Sequence, residues 1–279
     1  MIFKNIEIET TTYCNLSCPL CLRTNHKPNL MNRPLNEIID QINSFKHLEN
    51  VVLASSNGEP TLYPHLFDLI EYLISIKLNI IIYSNGSIHD EKWWKTLSYK
   101  LKDNGHVVFT VCGTTQDLHE KYRVGSNLNK LIKNIQAFQS DFKNDVVQYI
   151  RFKYNQHDDI SIYTNMFSKF FEINTAQYNE YLYNDEKYDM FNMVDKVRKI
   201  YLQSLNLKND TIICQSQQDE YTTIDINGNL YPCDLYKTFC KDEFKNYDDI
   251  LKFKYSFCKE CNLSTTKILK LINCDNAWI

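Results

Sequence analysis

Between residues 2 and 171 the chain alternates five times between a short apolar run and a stretch whose apolar residues recur at helical spacing. The runs fall at 2–10, 51–55, 79–83, 106–111 and 146–153, and the helical stretches at 34–45, 64–76, 91–101, 127–138 and 159–171. In the first helical stretch Leu35, Ile38, Ile39 and Ile42 share one face, with Pro34 near its first turn. In the second, Leu66, Leu69, Ile70, Leu73 and Ile74 repeat the pattern. A weaker sixth strand is expected around 176–182. Parallel strands cannot be joined by a tight turn, so strands separated by helices imply a parallel sheet with right-handed crossovers. Six such units predict an α/β fold, a partial (β/α)6 TIM-type barrel, with its chemistry at the C-terminal ends of the strands.

From about residue 211 the texture changes. The segments 221–226 and 229–231 read as a β-hairpin around Asn227-Gly228, a dipeptide suited to a type I′ turn. A short helix is expected at 248–257, and 184–210 reads as a helical connection. Two units are therefore expected: a barrel at 1–200 and a small cysteine-rich domain at 211–279.

Ten cysteines in 279 residues are too few for a disulfide scaffold, which needs roughly 8–10%. No apolar run approaches the ~18 residues of a membrane span, and the N-terminus lacks the regions of a signal peptide. A cytoplasmic location is expected, with no membrane partner. In such a reducing compartment, clustered thiols bind metal more readily than each other. A formal charge of −3 offers no basic field for a nucleic-acid backbone, so no nucleic-acid partner is expected.

The cysteines are unevenly placed. Cys14, Cys18 and Cys21 sit within eight residues, directly after the first strand. A [4Fe–4S] cluster normally takes four thiolates, so three leave one iron open for a substrate or cofactor. A zinc site completed by His26 is the competing arrangement, and unpaired buried thiols are another. Three further segments follow successive strands: Asn57-Gly58-Glu59-Pro60, Ser84-Asn85-Gly86 and Thr110-Val111-Cys112-Gly113, with Tyr122-Arg123-Val124-Gly125 a little beyond. Alone, each is an ordinary turn, and Glu59 and Arg123 would be solvated or ion-paired surface groups.

Together these segments resemble the radical S-adenosylmethionine (radical SAM) superfamily, whose C-x3-C-x2-C signature follows the first barrel strand. The resemblance implies that Cys14, Cys18 and Cys21 hold a [4Fe–4S] cluster whose unique iron is chelated by SAM. It implies that Gly58 and Glu59 belong to a segment whose carboxylate accepts hydrogen bonds from the SAM ammonium. Ser84 and Asn85 would lie near SAM, Thr110 would touch its carboxylate, and Arg123 would pair with that carboxylate. Leu20 stands where members usually carry an aromatic, and Asn57 where they carry a glycine. Asn155 is a further candidate for the pocket wall, and Cys112 stands where many relatives have Asp.

In the tail, Cys214, Cys233, Cys258 and Cys261 resemble the SPASM/twitch extension of that superfamily. The fit is to the twitch form with one auxiliary [4Fe–4S] cluster, and a structural zinc on the same four thiolates is the alternative. Cys240 and Cys274 read as small residues of a cysteine-rich fold.

The pattern resembles twitch enzymes of the 2-deoxy-scyllo-inosamine dehydrogenase kind. That likeness implies a radical SAM oxidoreductase that abstracts hydrogen from a small sugar- or cyclitol-like substrate and passes an electron to the auxiliary cluster. A flavodoxin or ferredoxin would be the electron donor. A peptide-modifying maturase or an epimerase is the alternative, the latter with Cys112 as a hydrogen-atom donor, and a non-catalytic zinc-binding protein lies outside that class. The first strand starts almost at residue 2, with no leader-binding domain before it, which favours the small substrate.

Overall fold

The structure is a computed structural model that describes residues 3–19, 21, 23–24, 27–54, 57–142, 145–155, 157–167, 169–174 and 221–231. Its core is one sheet in the order β6-β5-β4-β3-β2-β1-β7-β8. The strands are β1 (Asn5–Ile8), β2 (Asn50–Leu53), β3 (Asn79–Ser84), β4 (Gly105–Val111), β5 (Asp145–Arg151), β6 (Phe170–Asn174), β7 (Tyr221–Ile224) and β8 (Leu230–Tyr231). All neighbours from β6 to β7 are parallel, and only β7 and β8 run antiparallel.

The crossovers carry helices α1 (Leu35–Asn43), α2 (Leu66–Ser75), α3 (Glu91–Leu101), α4 (Gln116–Tyr122), α5 (Leu128–Gln139) and α6 (Ser161–Met166). Three start on side-chain caps that satisfy an orphan backbone donor. Asp90 accepts from Trp93 N–H (2.8 Å), Thr115 from Leu118 N–H (3.3 Å) and Asn127 from Lys130 N–H (2.8 Å).

Alternation along the strands decides which side chains meet the helices. Ile6, Ile8, Val51, Leu53, Ile80, Ile82, Val107, Phe109, Val111, Val147 and Tyr149 face the helices and join Ile38, Leu69, Trp94, Leu131 and Phe138 in one core. The alternate residues, among them Glu7, Glu9, Tyr83, Thr110 and Cys112, lie on the other face, the inside of the partial barrel. No helix among the described residues is long and apolar enough to cross a membrane.

The expected strands and helices up to residue 153 are present, and two readings need correction. The helix expected at 159–171 is only Ser161–Met166, and its last residues instead enter strand Phe170–Asn174; the strand expected around 176–182 lies outside the described residues. Phe167, Phe170 and Phe171 are spaced like a helical face, yet Val147 N–H reaches back to Lys169 O (2.8 Å) and the chain extends along β5. Helix α4 was not expected, because its sequence QDLHEKY offers one aliphatic residue and no period.

The hairpin turn is also different. Gly228 takes a positive φ (78°) and Asn227 does not, so the turn is not type I′, which needs both. Asp225 organises it instead. Its backbone O accepts from Gly228 N–H (3.0 Å) while Asp225 N–H donates to Asn229 O (3.0 Å). The Asp225 carboxylate gathers Asn227 N–H (2.9 Å), Asn229 N–H (2.8 Å) and Tyr231 Oη (3.0 Å). This is a three-residue loop with a left-handed glycine closing it. A Cβ on Gly228 would stand 2.8 Å from Arg33 Nη2, so both conformation and space demand glycine. The turn docks on α1 through Gln41 Nε2, which donates to Gly228 O (2.8 Å).

The hairpin pairs in parallel with β1, Asn5 opposite Tyr221 and Ile8 opposite Ile224. The expected segments at 184–210 and 248–257 lie outside the described residues.

Candidate functional site

The three N-terminal cysteines share a loop that leaves β1 and crosses the C-terminal ends of the strands. Cys18 is buried, and Cys14 and Cys21 are half-buried. Cys21 N–H donates to Cys18 O (3.1 Å), a turn that sets the two residues side by side. Leu16 N–H (3.4 Å) and the Asn85 amide (3.9 Å) point at Cys14 Sγ, and Arg123 Nη1 (3.7 Å) points at Cys18 Sγ. Burial pushes the Cys14 thiol up to about 11, with Glu59 and the other two cysteines adding to it, and burial raises Cys21 as well. Iron taking these sulfurs must displace their protons, and the N–H groups would then meet thiolates in charge-assisted bonds.

Among the described residues, no three Cys, His, Asp or Glu side chains gather closely enough to hold a single metal ion. A cubane takes each thiolate on a different iron, so its ligands stand farther apart than those of one zinc. The donor set fits a cluster: three sulfurs on one loop, with Leu16 N–H and the Asn85 amide aimed at Cys14, the Arg123 guanidinium at Cys18, and the backbone N–H groups of Arg23 and Thr24 at Cys21. His26, the fourth ligand of the competing zinc arrangement, lies outside the described residues.

Glu59 caps the short 3-10 helix Pro60–Leu62 and is 3% exposed. Its Oε1 accepts from Thr61 N–H (3.2 Å), Thr61 Oγ1 (2.7 Å) and Ser84 Oγ (2.7 Å), and its Oε2 from Asn85 N–H (2.8 Å). Four donors hold one carboxylate between the ends of β2 and β3. A carboxylate has about four lone-pair sites, two on each oxygen, so Oε2 can still accept from a cation above it. A Cβ on Gly58 would lie 2.0 Å from Thr11 O, which is why glycine stands where this segment passes the cysteine loop. Glu59 N–H donates to Tyr13 O (2.8 Å), joining the two segments.

Asn85 ties β3 to the same loop. Its Nδ2 donates to Asn15 Oδ1 (3.0 Å), and its Oδ1 accepts from Ser87 N–H (2.9 Å) and Ser87 Oγ (2.6 Å). Asn15 Nδ2 returns to Ser87 Oγ (2.9 Å).

At the end of β4, Thr110 is 6% exposed and Cys112 fully buried. The Cys112 thiol packs with Phe152 against Tyr122, Ile150 and Tyr154. Burial pushes it up to about 11, against the pull of Arg123. Asn155 does not line the mouth: its Nδ2 donates to Cys112 O (2.8 Å) and Ile150 O (3.0 Å), and its Oδ1 accepts from Phe152 N–H (2.5 Å). Both amide hydrogens serve to brace neighbouring strand ends.

Arg123 sits in a turn closed by Ser126 N–H to Arg123 O (2.9 Å). Ser17 N–H donates to Val124 O (3.1 Å), so this turn is stitched to the cysteine loop. Burial alone would lower the proton affinity of Arg123, but Cys18, Cys112 and Tyr122 around it raise it. Its Nε is buried with no hydrogen-bond partner. An orphaned guanidinium N–H beside the cluster loop suits a carboxylate ligand there.

The structure thus brings Cys14, Cys18, Cys21, Gly58, Glu59, Ser84, Asn85, Thr110, Cys112 and Arg123 to one end of the sheet. The tail cysteines Cys214, Cys233, Cys258 and Cys261 lie outside the described residues. Four side chains that brace the mouth, Asn15, Ser87, His119 and Ser126, were not singled out from sequence. Each is a common polar residue, and only the contact across the sheet marks it.

Several known proteins share these features. Over 81 residues the chain is 31% identical to 7-carboxy-7-deazaguanine synthase of Halobacterium salinarum, a stretch that spans 28% of this chain and 31% of that protein. It is 21% identical over 258 residues to the tungsten-containing aldehyde ferredoxin oxidoreductase cofactor-modifying protein of Pyrococcus furiosus, covering 82% of this chain and 70% of that one. Among solved structures, Streptococcus suis SuiB bound to precursor peptide SuiA matches with a TM-score of 0.63 at 17% identity, over 94% of this chain and 70% of that chain. BtrN in complex with AdoMet and 2-DOIA matches with a TM-score of 0.52 at 14% identity, over 95% and 87%. At these identities the structural likeness is one of fold. The sequence profile of the radical SAM superfamily matches residues 8–164, more than half of the chain, and the chain belongs to that superfamily, whose members use a [4Fe–4S] cluster and SAM.

Proposed function

We propose that this protein is a radical SAM oxidoreductase acting on a small hydroxylated substrate of the sugar or cyclitol class. The observation that carries the reading is the cysteine loop itself, with Arg123 and Asn85 donating to its sulfurs and Glu59 held beneath it. When bound, the cluster and SAM supply a 5′-deoxyadenosyl radical that removes a hydrogen atom from a substrate carbon. Cys14, Cys18 and Cys21 would hold the cluster, and N–H donors would stabilise their negative charge. Glu59 Oε2 would accept from the SAM ammonium, while Arg123 and Thr110 would hold its carboxylate. Ser84 and Asn85 keep Glu59 in place for that contact. The inner face of β4, where Val108, Thr110 and Cys112 are buried, would exclude water from the carbon being oxidised.

A two-electron oxidation also requires a route for the second electron and a proton. The tail thiols Cys214, Cys233, Cys258 and Cys261 are the residues proposed to hold an auxiliary cluster for that electron. A reduced flavodoxin or ferredoxin would restore the first cluster. A second reading, modification of a peptide, is supported by the likeness to a SuiB structure that contains a precursor peptide.

Anaerobic reconstitution with iron and sulfide tests the reading. Two clusters correspond to about eight irons per chain, and SAM should be cleaved to methionine and 5′-deoxyadenosine under reduction. About four irons with active cleavage would remove the auxiliary cluster. Stoichiometric zinc without cleavage would overturn the enzyme reading.

A further inference from the structure

Helix α4 contains a residue that touches none of Cys14, Cys18 and Cys21, yet it joins the end of β4 to the turn that packs against their loop. His119 is fully buried. Its Nδ1 lies 3.2 Å from Cys112 N, and Cys112 N–H can only donate, so Nδ1 accepts and the ring proton sits on Nε2. That proton is donated to Ser126 Oγ at 3.0 Å. One neutral imidazole therefore joins the end of β4 to the residue that closes the Arg123 turn.

From there the chain of contacts is short. Ser126 N–H holds Arg123 O (2.9 Å), Val124 O takes Ser17 N–H (3.1 Å), and Arg123 Nη1 reaches Cys18 Sγ (3.7 Å). Gln116 Nε2 also holds Ser126 O (2.8 Å), so the turn is anchored from α4 at two points. Space around the helix is tight, since a Cβ on Gly113 would lie 2.4 Å from His119 N. The imidazole cannot swing away without breaking both of its bonds.

We propose that His119 is a positioning residue for the SAM site: by bridging Cys112 N–H and Ser126 Oγ it sets Arg123 and the 123–126 turn against the cysteine loop. The inference rests on the radical SAM reading above. It assigns no chemistry to the ring, only the placing of Arg123, whose charge then meets its ligand at the right point.

Three variants of the reconstituted full chain separate the possibilities: His119→Ala, His119→Asn and Ser126→Ala. Asn places an amide oxygen near the position of Nδ1, which preserves the bond from Cys112 N–H. Iron content, SAM affinity and the EPR spectrum of the reduced cluster with and without SAM are measured for each. His119→Ala should keep its iron, bind SAM at least tenfold more weakly and lose most of the spectral change that SAM induces. His119→Asn should recover part of the affinity, and Ser126→Ala should show a smaller loss of the same kind. A SAM affinity within twofold of wild type in His119→Ala at full iron content would overturn the proposal. So would equal loss of iron in all three variants, which would make the contact a general support of the fold. If His119→Ala does not fold, the ordering of His119→Asn and Ser126→Ala against wild type decides in the same way. Failure of the wild-type chain to load iron or cleave SAM would instead count against the radical SAM reading itself.

Discussion

Glu59 and His119 hold neighbouring parts of one mouth by opposite means. Glu59 is a buried carboxylate held by four donors from the end of β3 and its own turn, three on one oxygen and one on the other. His119 is a buried neutral ring with one bond on each nitrogen, and it faces away from the site. Where the proposed SAM ammonium would be met, the fold keeps a carboxylate and surrounds it with donors. Where Arg123 and three cysteines already set the field, the support carries no charge of its own. A second cation beside Arg123 would repel it, and burial with Arg123 pushes His119 down to about 3.

The largest effect comes from removing what both supports serve. Replacing Cys14, Cys18 and Cys21 with Ala together should remove about four irons and all SAM cleavage. Retained cleavage in that variant would make the contrast between the two supports irrelevant to catalysis.

Next comes the charged side. Glu59→Ala strands Ser84 Oγ, Thr61 Oγ1 and two backbone N–H groups, and hydrogen bonds to charged groups contribute about 1.5–3 kcal/mol each. SAM affinity should fall roughly ten- to a hundredfold, and the thermal midpoint should drop as well. Glu59→Gln should retain more stability than affinity. Equal losses of both in the two variants would show that the carboxylate is only a support, like the imidazole.

The neutral side is sharpened by pH. His119 has a folded value of about 3 against an ordinary 6.5, so between these values the unfolded chain binds the extra proton. Its contribution to stability is fully present above pH 6.5 and is lost as pH falls toward 3, at about 1.4 kcal/mol per pH unit. Chemical denaturation of His119→Asn should show a flatter pH dependence across that window. An identical slope in wild type and variant would mean that the ring is charged in the folded protein.

A smaller effect is expected where space rather than charge is at issue. Gly58→Ala drives a methyl group onto Thr11 O and should cost about 1–3 kcal/mol, with SAM affinity falling as Glu59 shifts. The smallest belongs to Cys112→Ala, which removes a small buried thiol from an aromatic pocket. Oxidised product should form at an undiminished rate. Solvent deuterium on an inverted substrate carbon, abolished by this substitution, would instead make Cys112 a hydrogen donor and the enzyme an epimerase.

Much of this mouth can be read from sequence, because a strand followed by Gly, Asn, Cys or Glu announces its C-terminal end. Cys14, Glu59 and Asn85 carry that mark, and Cys112-Gly113 carries it for β4, on which Thr110 stands. His119 does not: it lies on a helix with no apolar period, and its partners are a backbone N–H and a serine. Asn155 shows the opposite error, a polar residue in the right place whose amide turns inward to Cys112 O. Strand β6 is hidden within the stretch expected as helix because Phe167, Phe170 and Phe171 suit either period. The partner of β1 beyond β2 could not be foreseen, since pairing across more than two hundred residues leaves no local trace.

That pairing has a consequence for how the molecule is made. β1 emerges first from the ribosome, but one of its two edges is matched only when residues 221–224 arrive. Non-local pairing of this kind is slow, and an open strand edge is a template for wrong partners. The cysteine loop grows from that same strand. Until residues 221–224 are made, its thiols hang from a strand with one unmatched edge, and metal delivered early would meet an unfinished cradle. A cluster held by that loop would therefore meet a finished cradle only after residues 221–224 have paired with β1.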